Sequence, residues 1–401
     1  MRGTQDVPRR FRMYRAQLCR PCHPERSRCG SLARCQNLAA TSCGTRSNVE
    51  QSLRMPEGAH AACDLFDVVV VSPGGGATMK KVSIVIPTRN RAELLPATLE
   101  SAFAAASDAE IIVVDDASTD DTEAVCRGTP GLTYIRLREQ KGTSTARNEA
   151  IRASAAEFVA FLDDDDLRLP GSIDRQLAIL DRAGESALIC GRAFIGEPQY
   201  SLPTGWLVPD QGVVGDAFWQ LLEANFIVVS TVVARRRVLL DCGLFDPELP
   251  TLEDYDLWVR LAEKYRFEYL DEPVAVYRAR SDVSGQKTSD RAVHDQIHKD
   301  LHRRLLALPR AAEAPARWRR RVHRKHMAII YDSLVYDAAR SLLTGNVEAA
   351  RSWLIAAMRM KPWHPKAPGS LLWLHLRKKH LQYEPSRVPT VPVMSIERRL
   401  G

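Results

Sequence analysis

The stretch Phe158-Val159-Ala160-Phe161-Leu162-Asp163-Asp164-Asp165-Asp166 runs five apolar residues straight into four aspartates. An apolar run this short, bounded by polar residues, reads as a strand buried on both faces. Four carboxylates at its end are costly, because like charges a few Å apart raise one another's pKa or demand a cation. The plainer reading is a solvated acidic loop, or charges capping a helix that starts near Pro170. A second aspartate pair behind another buried run argues against it.

The same grammar repeats upstream. Val82-Ser83-Ile84-Val85-Ile86 is largely apolar and β-branched, and stops at Pro87-Thr88-Arg89-Asn90. Ile111–Val114 is another such run and ends in Asp115-Asp116. Leu132–Leu137 alternates as a further strand. Between these lie segments of helical composition and period: Ala92–Ala106, Thr119–Arg127 (capped by Ser118 or Thr119), Thr143–Ser154 and Pro170–Ala183. Strand and helix alternating at this spacing specify an α/β fold with a mostly parallel sheet and right-handed crossovers. Ligands of such sheets gather at the carboxyl ends of the strands. Thr88-Arg89-Asn90, Asp115-Asp116 and Asp163–Asp166 are therefore predicted to converge on one edge.

Downstream, the pattern predicts a short strand at Ala187–Cys190, a Pro/Gly-rich excursion over 197–215, a helix at Asp216–Asn225 and a strand at Val228–Ala234. A helix follows from Asp254 to Lys264, then two strands near Phe267–Leu270 and Val274–Tyr277. From about Arg291 the composition is almost wholly helical, with Gly345 separating Met327–Leu343 from Val347–Met360. His294, His298 and His302 share one helical face, which reads as polar and solvated rather than as a metal stripe.

The chain has 401 residues, 45% hydrophobic and 26% charged, with a formal net charge of +7. That composition is globular. The charge is uneven: residues 79–290 are acidic, while 291–401 are strongly basic, densest at Arg317-x-Arg319-Arg320-Arg321 and Arg377-Lys378-Lys379. Basic surfaces commonly meet phosphate, on lipids or nucleic acid. No aromatic–basic RNA motif is visible, so an anionic membrane surface is the expected contact and nucleic acid is not. No uninterrupted apolar run approaches 18 residues, so no transmembrane helix is expected.

Residues 1–78 are rich in Arg, Cys, Ser and Pro and lack apolar periodicity before Phe66. They read as a disordered or over-called extension, with Met79 as the functional beginning. Cys19-x2-Cys22, Cys29 and Cys35 have no surrounding core to support a zinc module. Cys126, Cys190 and Cys242 sit in or beside apolar runs and read as small buried hydrophobes of a reducing cytoplasm. The domain reading is thus 1–78 extension, 79–290 catalytic α/β domain and 291–401 basic helical tail.

Five motifs in order resemble the family 2 glycosyltransferases. They are Val82–Arg91, Val113-Val114-Asp115-Asp116-Ala117-Ser118-Thr119-Asp120, Gly142 with Ala146-Arg147-Asn148, Phe161–Asp166, and Gly243-Leu244-Phe245-Asp246 with Leu252-Glu253-Asp254-Tyr255-Asp256-Leu257-Trp258. The resemblance covers about residues 80–280. It implies a GT-A type nucleotide-binding αβα sandwich whose acceptor half lies at roughly 190–250. It also implies an inverting transfer of a sugar from a nucleotide-sugar donor, UDP-linked by preference. The acceptor would be a hydroxyl on a glycan or lipid-linked substrate of surface polysaccharide assembly.

The resemblance also implies roles. Asp116 would accept from the base edge, near Pro87, Thr88 and Asn90. Arg147 would lie near the diphosphate. Asp163 and Asp165 would form a D-x-D pair for Mn2+ or Mg2+, which suits hard oxygen ligands. Asp165 would be the direct metal ligand and Asp163 a ribose or second metal contact, with Asp164 and Asp166 mainly structural. Asp254 would be the general base, with Glu253 its competitor. The chain departs from the family at Tyr277-Arg278-Ala279-Arg280, where Arg280 stands in place of a His. The expected location is cytoplasmic, with peripheral contact at the inner face of the membrane. A nucleotidyltransferase would want a Gly-rich basic loop after the first strand, and a binding-only relative would lack the intact Asp163, Asp165 and Asp254 set.

Overall fold

The computed structural model describes residues 66–71, 80–196, 203–209, 211–278, 291–343, 345–361 and 369–370. The cysteines before Met79, Arg280, Trp363, Trp373 and the cluster at Arg377 lie outside them.

The expected alternation is present. Strands β1 (Phe66–Val71), β2 (Val82–Thr88), β3 (Ala109–Asp115), β4 (Leu132–Leu137) and β5 (Phe158–Phe161) are interleaved with helices α1 (Leu95–Ala105), α2 (Thr122–Gly128) and α3 (Thr143–Ala153). Next come β6 (Leu167–Arg168), α4 (Ser172–Leu180), β7 (Leu188–Gly196), β8 (Pro203–Val208), α5 (Phe218–Glu223), β9 (Val233–Arg235), α6 (Arg236–Asp241), α7 (Glu253–Lys264) and β10 (Phe267–Arg278). The helical remainder is α8 (Arg291–Leu305), α9 (Pro309–Ala312), α10 (Ala316–Leu343) and α11 (Val347–Met360).

The sheet order is β1-β4-β3-β2-β5-β9-β7-β10-β6, with β8 on β7. β4, β3, β2 and β5 pair in parallel, as do β7 and β10, and these include the longest ladders. β9 inverts the direction between β5 and β7. β1 pairs antiparallel with β4, so the sheet takes an edge strand from before Met79.

Alternation along the strands builds two cores. Val85, Ile112, Val114, Val159 and Phe161 pack on one face with α3, α5 and α7. Val82, Ile84, Ile86, Val113, Phe158 and Ala160 pack on the other with α1 and α4. Both faces are covered, which is why these strands read as continuous apolar runs. The helical tail shares the first core: Leu301, Leu305, Ala311 and Val322 are buried with the sheet residues.

Three local expectations need correction. Val228–Ala234 is not one strand: Val229–Thr231 forms a 3-10 turn before the short β9. Its cause is long-range, since the Ser230 hydroxyl donates to Asp166 Oδ2 at 2.5 Å and accepts from Asp163 N at 3.1 Å. The two strands near Phe267 and Val274 are one strand, β10, with register shifts around Pro273, which lacks a ladder donor. The histidine face is not solvated: His298 is 5% exposed and His302 is fully buried.

Candidate functional site

β2, β3 and β5 end together, and the Asp116 amide donates to the Thr88 carbonyl at 2.9 Å across that edge. A cavity of about 500 Å³ opens there. Pro87, Thr88, Asp116, Arg147, Asp163, Asp164, Asp165, Glu253 and Asp254 all line it. Asn90 is the one expected site residue that does not. Its side-chain oxygen accepts from Thr119 N at 2.7 Å, and its own amide donates to Ser118 Oγ at 2.9 Å. It ties the β2 end to the β3 end rather than facing the cavity.

The cavity rim carries backbone strain. Asn90, Ala117 and Leu252 have φ of 53°, 59° and 65°. Side chains rarely adopt this left-handed region, and such residues cluster where a site needs a sharp loop. Leu252 turns the chain into α7 so that Glu253 and Asp254 occupy its first turn.

The four aspartates divide. Asp166 is 1% exposed and ties the loop down. It accepts from Ser230 Oγ and, at 2.8 Å, from the Arg278 amide. Asp164 accepts from the Arg89 amide at 3.2 Å and lies 3.6 Å from the Arg91 guanidinium. Burial first, then Asp165 beside it, push its carboxyl up to about 7 against the pull of Arg91. Asp163 accepts from Arg147 at 2.6 Å, and Asp165 lies 4.0 Å from Arg91. Arg91 was quoted in the opening motif but given no role; it is the counter-ion of the acidic loop.

Asp115 and Asp116 serve different ends. Asp115 is fully buried and accepts from Ser118 N, Tyr134 Oη and Arg136 at 2.8, 2.5 and 3.1 Å, which fixes the β3 end. Asp116 accepts from the amides of Lys141 and Gly142 at 2.6 and 2.9 Å. This anchors the entry to α3, and Gly142 supplies the φ of 89° needed there. A carboxylate has about four acceptor sites, so Asp116 keeps capacity toward the cavity.

Arg147, on α3, is only 4% exposed. It donates to Asp163 at 2.6 Å and to Glu253 at 3.0 Å, and its guanidinium lies 5.2 Å from the Phe245 ring centroid. Burial alone would lower its pKa, but Asp163 and Glu253 hold it charged. Phe245, Phe161 and Trp258 form an edge-to-face cluster beneath it, with centroids 5.5 to 6.1 Å apart. That cluster gives the Gly243–Asp246 and Leu252–Trp258 motifs a packing role as well as a chemical one. Arg147 thus braces two carboxylates at the cavity wall.

Glu253 is ion-paired with Arg147. Asp254 instead accepts from the side-chain amide of Asn225 at 3.1 Å. Burial first, and Glu253 next, push Asp254 up to about 6, against Arg147 and Asn225. Nothing in the sequence pointed to Asn225, because its partner is 29 residues away.

Among the described residues, no three His, Cys, Asp or Glu side chains converge as a complete metal cage. Asp163 and Asp165 offer hard carboxylate oxygens at the cavity wall, the donor type that Mg2+ and Mn2+ take alongside phosphate oxygens and water.

Fold and site together define an α/β domain with acidic strand ends facing one cavity. A family model described as Glycosyl transferase family 2 matches residues 83–242. The chain is 31% identical over 270 residues to the succinoglycan biosynthesis protein ExoU of Rhizobium meliloti, covering 63% of this chain and 76% of that relative. It is 28% identical over 195 residues to the Escherichia coli UDP-Glc:alpha-D-GlcNAc-diphosphoundecaprenol beta-1,3-glucosyltransferase WfaP, covering 46% of this chain and 72% of that one. The crystal structure of S. aureus TarS 1-349 in complex with UDP-GlcNAc superposes with a TM-score of 0.49 at 18% identity, covering 73% and 83% of the two chains. The chain belongs to glycosyl transferase family 2 and is a glycosyltransferase with an α/β fold built on a mostly parallel sheet.

Proposed function

We propose that the enzyme transfers a sugar from a UDP-sugar to a hydroxyl on a lipid-linked or glycan acceptor in surface polysaccharide assembly, with inversion at the anomeric carbon. The observation that carries this reading is the single cavity lined by Asp116, Asp163, Asp165 and Asp254. The names of ExoU and WfaP support polysaccharide assembly, and that of WfaP supports a UDP donor and a diphospholipid acceptor.

Asp116 and the β2-end residues Pro87 and Thr88 hold the base, while Asn90 keeps their loop in place. Asp163 and Asp165 would hold Mn2+ or Mg2+, which would supply positive charge to the leaving nucleotide diphosphate. Arg147 bridges Asp163 and Glu253 and orients both. Asp254 takes the proton of the acceptor hydroxyl as its oxygen attacks the anomeric carbon from the face opposite the leaving group. Glu253 is the poorer candidate because its carboxylate is already engaged by Arg147 at 3.0 Å. One displacement with no carboxylate nucleophile inverts configuration. Incubation with UDP-sugars, Mn2+ and a diphospholipid acceptor tests the reading; NMR of the product should show the anomeric configuration opposite to the donor's.

The base must be ionised to act. With Asp254 at about 6, kcat should rise with pH through an acid limb near 6 and level off above it. A profile flat from pH 5 to 8 would count against Asp254.

A membrane contact is part of the same proposal. No helix among the described residues is long and apolar enough to cross a membrane. Arg317, Arg320, Arg321 and Arg324 are exposed on α10 and fall on one face at helical spacing. Each is worth about 1 kcal/mol against an anionic surface. The protein should float with phosphatidylglycerol vesicles at low salt and not with phosphatidylcholine vesicles. Reversing all four charges should abolish flotation; unchanged flotation would remove this face from the account.

A further inference from the structure

His302 and His326 of the helical tail are buried against the carboxyl end of α5. The last carbonyls of a helix have no partner within it. Here His302 Nε2 lies 2.8 Å from the Leu222 carbonyl and His326 Nδ1 lies 3.1 Å from the Glu223 carbonyl. A carbonyl only accepts, so each of these ring nitrogens carries a hydrogen. In neutral His302, Nδ1 is then an acceptor, filled by His323 Nδ1–H at 3.0 Å. The His302 and His326 rings stack, with centroids 4.1 Å apart, and Tyr255 lies parallel to His326 at 5.7 Å. Burial first, then the neighbouring imidazoles, hold His302 down at about 3, so the stack is neutral at physiological pH.

Two residues beyond Glu223, Asn225 accepts from the Ile227 amide at 3.1 Å through its side-chain oxygen. That bond sets the orientation of the side-chain amide and points its NH2 at Asp254 Oδ2, 3.1 Å away. His326 thus touches both supports of the carboxylate: the α5 end that leads to Asn225, and Tyr255, the residue after Asp254.

We propose that Asn225 is a positioning residue for Asp254, and that the His302–His326 pair of the C-terminal helices holds Asn225 in place. The donated bond occupies Oδ2, leaves Oδ1 for the acceptor hydroxyl and favours the ionised carboxylate. His302, His323 and His326 do not line the cavity. The tail therefore contributes to catalysis without touching substrate. This rests on Asp254 being the general base.

The test reads Asp254 itself, in the full-length chain without donor, by carboxyl 13C NMR of protein labelled at aspartate, the signal assigned by its loss in Asp254→Asn. Glu253 and Arg147 are the charged groups facing Asp254, and every variant leaves them in place. Asn225→Ala should move the Asp254 titration upward and lower kcat about ten- to a hundredfold, the size of a lost bond to a charged group. His326→Ala should move it in the same direction. His302→Ala should do the same; His326→Asn, whose amide replaces the Nδ1–H donor, and His302→Gln, which replaces the Nε2–H donor, should each restore it. An Asp254 titration unmoved in Asn225→Ala would overturn the proposal. So would a movement in His326→Ala that His326→Asn fails to reverse. Should His326→Ala not fold, Asn225→Ala and His302→Gln decide alone. Full activity in Asp254→Asn would sink the general-base reading instead, whatever the titrations show.

Discussion

Asp254→Asn should lower kcat by about 10²- to 10⁴-fold, the range of a lost general base. The substitution is isosteric, and the new amide can still accept from Asn225 through its oxygen. What it cannot do is take a proton. The KM for donor should therefore change little, since the donor contacts we propose lie with Asp116, Asp163 and Asp165. Stability should not fall either. The Asp254 carboxyl sits at about 6 in the folded chain, above its ordinary value. A group raised in this way favours the fold at low pH and disfavours it once pH climbs through 6. At pH 8 the neutral amide removes that penalty, so the melting temperature should match or exceed wild type. Steady-state kinetics with a melting curve at pH 8 check both halves. An active variant, or an inactive one that melts early, contradicts the assignment.

Arg147→Ala should be the most destabilising change in the site, by about 3–5 kcal/mol, because it strands carboxylates that shared one buried cation. Asp163 and Glu253 approach the guanidinium at 2.6 and 3.0 Å, from β5 and from α7. Removing it uncouples the strand end that carries the D-x-D pair from the helix that carries the base. Lys should not rescue, since a point charge cannot fork to both acids. Urea unfolding of wild type, Arg147→Ala and Arg147→Lys tests this. A loss under 1 kcal/mol in Arg147→Ala would mean that the two acids are held by something else.

The nucleotide half was legible because local sequence decides it. Val82–Ile86, Ile111–Val114 and Phe158–Leu162 are apolar enough to be only buried strands, and their polar ends had to meet. The acidic run divides less cleanly than its sequence suggests: Asp166 is buried and tied to the Arg278 amide, while Asp163, Asp164 and Asp165 all line the cavity. What was hidden is long-range. Ser230 is drawn into a turn by residues 64 and 67 positions away, which no β-branched pattern reports. Asn90 resembles a ligand residue, but its oxygen is used by a neighbouring loop. The histidine face reads as polar on its own helix and is buried only because the carbonyl end of α5 needs donors. Asn225 faces Asp254 across two elements joined by loops, with no periodicity to reveal it.

One cavity is proposed to hold a nucleotide sugar through an Asp163–Asp165 metal site. The most direct test is the melting temperature of wild type and Asp165→Ala against a panel of nucleotide sugars, with and without Mn2+. Ligand that binds only the folded state raises that temperature. The account predicts that one UDP-sugar raises it in wild type only when Mn2+ is present, and that Asp165→Ala loses the effect. Stabilisation by a donor without metal, equal stabilisation of the variant, or no response to any donor would contradict it.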